Sequence, residues 1–63
     1  MKVNFTLDRN AASGRKSDVV ARVNRELGSK VTISGDVITV DSYDERRVVE
    51  ILNHENLKYS RST

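Results

Sequence analysis

The chain reads as an α+β domain with element order βαββαβ, and three observations lead there. Lys30 to Asp41, K-V-T-I-S-G-D-V-I-T-V-D, carries two β-branched arms about a Ser34-Gly35-Asp36 turn. A segment with helical apolar spacing lies on either side of it. The outermost segments alternate apolar and polar residues, as half-buried strands do.

Taken in order, Lys2 to Leu7 predicts a strand with Val3, Phe5 and Leu7 on the buried side. Asp8 to Ala12 is a loop. Ser13 is the expected N-cap of a first helix that runs to about Leu27 and stops at Gly28. Val19, Val20, Val23 and Leu27 make its apolar stripe. Asp18, Ala21, Arg22 and Arg25 lie opposite, with Arg15 near the edge and Asp18 expected to pair with Arg22. In the hairpin, Gly35 supplies the positive φ of the turn. Val31, Ile33, Ile38 and Val40 face inward, and Thr32, Val37 and Thr39 outward. Ser42 and Glu45 fit a capping box for a second helix from Tyr43 to about Asn53. Its inner face is Val48, Val49, Ile51 and Leu52; Tyr43, Arg46, Arg47 and Glu50 lie outside. His54 to Asn56 is a turn. Leu57 to Arg61 is the last strand, with Leu57 and Tyr59 inward, and Ser62 and Thr63 are expected to fray. Right-handed βαβ crossovers then give a ferredoxin-like two-layer sandwich, sheet order 4-1-3-2, both helices on one face.

At 63 residues the chain is expected to form one small domain, near the lower size limit for folding without disulfides or metal. It has no cysteine, so disulfides and thiolate metal sites are excluded. No signal peptide or membrane-spanning run is legible, and a cytoplasmic location is expected. The net charge is +2, unevenly divided. Residues 1–30 carry seven Lys/Arg against three Asp/Glu, and residues 31–63 carry four against six. Such a split steers an anionic partner toward the first half.

Stretches of this chain, V-V-A-R-V-N-R-E-L, K-V-T-I, V-I-T-V-D, V-V-E-I-L and L-K-Y, resemble the heavy-metal-associated domains of copper chaperones and metal-pumping ATPases. The resemblance spans Val3 to Tyr59 and implies the same fold. That family holds a soft metal with two cysteines in the loop before its first helix. Asp8 to Lys16 has neither Cys nor Met there, so metal transfer does not follow. The opening β-loop-helix-hairpin-helix is also similar to histidine-containing phosphocarrier proteins, whose phosphorylated histidine precedes the first helix. The one histidine here is His54, so phosphocarrier chemistry does not follow either.

No catalytic set, cofactor motif or metal-ligand cluster is legible, and a two-layer domain of this size rarely makes a substrate cleft. Enzymatic activity and a bound cofactor are not expected. His54, beside Glu55 in a turn, is a candidate titrating group. Ser13-Gly14-Arg15-Lys16-Ser17 opens a helix and is a candidate anion site, though it lacks the spaced glycine of a phosphate-binding loop. Arg15, Lys16, Arg22 and Arg25 form a basic side on the first helix. Tyr43 and Arg47 on the second are of the types that anchor interfaces. These six residues are the candidate partner-binding set. The expected function is a small non-enzymatic, protein-binding or regulatory domain, its partner an acidic protein surface, with homodimerisation through a sheet edge or helix face a further route. The alternative is a nucleic-acid-binding accessory protein using the basic face of the first helix. Against it, the expected open sheet face has no aromatic residue for base stacking, and no Gly-x-x-Gly loop is present.

Overall fold

The computed structural model describes all residues, Met1–Thr63. Its elements are β1 (Lys2–Leu7), α1 (Ser13–Leu27), β2 (Val31–Ser34), β3 (Val37–Asp41), α2 (Glu45–His54) and β4 (Tyr59–Ser62). Short 3-10 turns at Gly28–Lys30 and Ser42–Asp44 precede β2 and α2. The four strands form one sheet in the order β2-β3-β1-β4, which is the expected 4-1-3-2 read from the other edge. All three pairings are antiparallel, with Phe5 opposite Ile38 on one side and Arg61 on the other.

Register and burial together put both helices on one face. Val3, Phe5, Leu7, Ile38 and Val40 occupy the same face of the pleat and are buried. They join Val19 and Val23 of α1, and Val48, Ile51 and Leu52 of α2, in one core cluster. Phe5 is its largest fully buried side chain and meets Tyr59 edge to face, with ring centroids 5.5 Å apart. The opposite face carries Asn4, Thr6, Thr32 and Thr39 among others, and Thr39 Oγ1 donates to Asn4 Oδ1 at 2.7 Å across β1 and β3.

Both expected N-caps are corrected. Ala12, not Ser13, is the N-cap of α1 and offers no side-chain cap; the first helical bond is Lys16 N–H to the Ala12 carbonyl, 3.1 Å. Before α2, Asp41 takes the capping role: its Oδ1 accepts from Tyr43 N–H at 3.1 Å. Glu45 therefore does not reach back to Ser42. It opens α2 and binds Arg61 of β4 through both arms of the guanidinium, the Nη2–Oε1 contact being 3.2 Å. The Ser42 N–H that a capping box would use is already donated to the Met1 carbonyl at 2.7 Å, and β4 presents Arg61 on the helix side for a charge-assisted pair.

The last strand begins at Tyr59 rather than Leu57, and Ser62 is paired opposite Asn4 instead of frayed. Leu57 belongs to the end of α2. Asn56 adopts φ 56°, Asn56 N–H donates to Asn53 O at 3.0 Å, and Leu57 N–H donates to Leu52 O at 3.0 Å. This is a Schellman motif with Asn in the left-handed position and the buried pair Leu57 and Leu52 closing it. Gly28 ends α1 at φ 57°, and Gly35 takes φ 57° at the first position of the two-residue hairpin loop.

Candidate functional site

The structure divides the six candidate residues. Arg15 and Arg25 are exposed on α1. Lys16 folds back onto the hairpin turn: its Nζ lies 3.2 Å from Asp36 Oδ1, and its side chain is only 17% exposed. Arg22 Nε lies 3.0 Å from Glu26 Oε2, and its Nη1 lies 3.8 Å from Glu55 Oε2. Asp18 is thus not the partner of Arg22. Arg47 reaches across from α2 to the other oxygen of Glu26 at 3.1 Å. Tyr43 is 93% exposed on the turn before α2.

Arg22 and Arg47 are brought together, but by Glu26 between them. His54 belongs to the same strap, with Nδ1 at 3.4 Å from Arg22 Nη1 and 3.5 Å from Glu55 Oε2. Hydrogen bonds from Arg22 first, then Arg47, hold the Glu26 carboxyl below its ordinary range. The expected basic stripe is therefore an ion-pair network tying α1 to α2, and only Arg15 and Arg25 of it remain uncompensated. At the start of α1, with Lys16 spent on Asp36, Arg15 is the one unpaired cation of the Ser13–Ser17 stretch.

A different surface is open for contact. β2 pairs with β3 alone and forms one edge of the sheet. Leu7 N–H donates to Asp36 O at 2.8 Å, which fixes the alternation of β3: residues 36, 38 and 40 turn their backbone groups to β1. Val37 and Thr39 therefore bond to their opposites in β2, Ser34 and Thr32. The N–H and C=O of Val31 and Ile33 point away from the sheet. Val31 N–H is already given to Gly28 O in the 3-10 turn, so Ile33 alone keeps both groups free.

Beside this edge, between α1 and the hairpin, lies a groove of about 580 Å³. Leu7, Val20, Ala21 and Ile33 form its apolar lining, with Ser17 and Asn24 on its rim. Lys16 and Asp36 also line it. A second, polar recess of about 470 Å³ before the start of β2 is lined by Arg25, Lys30 and Arg47 together with Glu26 and Asp44. The other edge, β4, leaves the backbone groups of Tyr59 and Arg61 open by the same alternation, but its side chains are already committed. Its helix-side residues are Tyr59, engaged with Phe5, and Arg61, engaged with Glu45.

The expected strand order already makes Lys30–Ser34 an edge, but the groove beside it was missed because Ile33 and Val20 read as core. Both pack against the core yet remain half-buried. The available signal was the shortness of the first hairpin arm, which Lys30 guards by charge. No helix is long and apolar enough to cross a membrane. In comparison with known proteins, no family model, curated protein or solved structure matches this chain.

Proposed function

We propose that this protein is a non-enzymatic protein-binding domain that takes an extended segment of another polypeptide along β2. The observation that carries this reading is the free backbone of Ile33 at a sheet edge, flanked by a groove that has an apolar strip of Leu7, Val20, Ala21 and Ile33 within a polar rim. An added strand gains main-chain hydrogen bonds from the edge, and its alternate side chains enter the groove beside it. Val20, Ala21 and Ile33 favour small apolar side chains there. Arg25 and Lys30 favour a carboxylate at the end near the start of β2. The acidic character expected of the partner is thereby confined to one end of the bound segment.

Peptides selected from a random display library on the immobilised chain supply the test. On titration with a selected peptide, the amide signals of Val31–Ser34 and of the Ser17–Asn24 side of α1 should move. Movements confined to Arg22, Arg47 and Tyr43, or to the Asn4 and Thr39 face, would overturn the proposal.

A further inference from the structure

We infer that the natural occupant of the β2 edge is a second copy of this chain, paired antiparallel about a two-fold axis through Ile33. The inference rests on the edge-binding reading above and names its partner. In an isologous pair the same surface meets itself, so the edge must be complementary to its own reversal. Ile33 is the residue whose N–H and C=O are both free, so it can exchange two hydrogen bonds with its own copy. Reversal about Ile33 sets Thr32 opposite Ser34 of the second copy and Val31 opposite Gly35. Val31 then uses only its carbonyl, and its N–H stays on Gly28 O. A register centred on Thr32 would instead require that committed N–H.

The charges obey the same symmetry. Lys30 and Asp36 lie three residues on either side of Ile33. The chain turns back at Gly35-Asp36, with Asp36 on the β3 side against Leu7, so the reversal brings Lys30 of each copy beside the hairpin turn of the other, where Asp36 supplies the opposite charge, twice in the dimer. Asp36 gives only Oδ1 to Lys16 and its side chain is 44% exposed, so it has capacity for a second cation. On the helix side, the paired Ile33 residues continue the apolar lining of the two grooves, and no charged residue lies directly opposite a like one. The result is a continuous eight-stranded sheet in which β2 is no longer an edge.

A four-residue strand makes a smaller contact than a permanent interface, so the dimer should dissociate in the range of about 10 µM to 1 mM. Sedimentation velocity over that range should show a monomer–dimer shift that Lys30→Glu weakens about tenfold and added salt diminishes. Because the chain has no cysteine, single replacements report the register. Opposed residues in an antiparallel pair have Cα atoms about 4.5–5.5 Å apart, within disulfide range. In oxidised glutathione, Ile33→Cys should link to itself at least about tenfold faster than Ser60→Cys on the open face. Should Ile33→Cys fail to fold, a mixture of Thr32→Cys and Ser34→Cys chains gives the same answer. Both positions are exposed, and mixed dimers should exceed either self-pair. A chain that stays monomeric throughout, or disulfides with no positional preference, would overturn the inference. If a selected peptide still moves the Ile33 amide in that event, the edge-binding reading stands without it. If peptide shifts map elsewhere, both fall.

Discussion

At the residue scale, Glu26 decides what the basic side of α1 becomes. One carboxylate takes Arg22 from its own helix and Arg47 from α2, which turns two apparent binding residues into a strap between helices. Asp41 plays a comparable part at the N-terminal end of α2. The Tyr43 N–H first, and the N-terminal ammonium at 3.5 Å after it, keep its carboxyl below the ordinary range. A carboxyl whose pKa is lower in the folded chain than in the unfolded one stabilises the fold above the unfolded value. That contribution is lost as pH falls through the folded value. Both groups are surface groups, so the effect is modest and salt-screened. The melting temperature should therefore fall as pH drops from about 5 to about 2. Glu26→Gln should melt below the parent at neutral pH, and the gap should close at acid pH and in high salt. Calorimetric melts at the two pH values check this, and a gap that does not change with pH would show that Glu26 acts by packing rather than by charge.

At the scale of elements, the strands and helices were legible because their apolar residues repeat with the right periods, and what periodicity does not encode was missed. Alternation cannot say that Leu57 closes a helix rather than opening a strand. That depends on Asn56 entering the left-handed region, where its short amide side chain is tolerated. Nor can local pattern foresee Arg61 competing for Glu45, since the two are neighbours only once β4 is laid against β1. Position within the sheet also separates residues that look equivalent in sequence. Ile33 and Ile38 face one another across the hairpin, yet Ile38 is on a central strand and fully buried, whereas Ile33 is at the edge and half-buried. Truncation of a fully buried Ile costs roughly 2–5 kcal/mol in lost burial and residual cavity. Ile38→Ala should therefore remove most of the stability of so small a domain, of which only about 3–5 kcal/mol is expected in total. Ile33→Ala should cost clearly less, because part of its side chain is already in contact with water and the edge can relax. Urea midpoints order the two variants, and equal midpoints would mean that the edge of the groove is as closely packed as the core.

At the scale of the whole molecule, the charge split between the two halves was legible, but its consequence was not. Opposite charges from the two halves meet in the folded chain: Lys16 meets Asp36, Arg22 meets Glu55, and Glu26 meets Arg47. Composition counts charges, whereas function depends on which of them remain after folding has paired the others. The candidate edge itself was legible, since the expected strand order already puts Lys30–Ser34 at one end of the sheet; that Ile33 is the residue with the open backbone depends on register, which no local window of sequence contains. The same pairing bears on the nucleic-acid alternative. Arg15 and Arg25 are the uncompensated cations of α1, ten residues apart and so about 15 Å along the helix axis. The cations between them are held by carboxylates, and the flanking Lys30 sits at the start of β2. Such an arrangement engages only a few phosphates, without a continuous track along a backbone. Binding of the chain to a random-sequence duplex, followed by fluorescence anisotropy between about 50 and 200 mM salt, should be weak, with a log–log slope no steeper than about −2. Arg15→Glu should reduce even this residual affinity while leaving the Ile33-centred self-association measurable. A slope of about −5 or steeper would require six or so phosphate contacts, more than the free cations of α1 supply. That result would restore the basic face as the working surface of the protein.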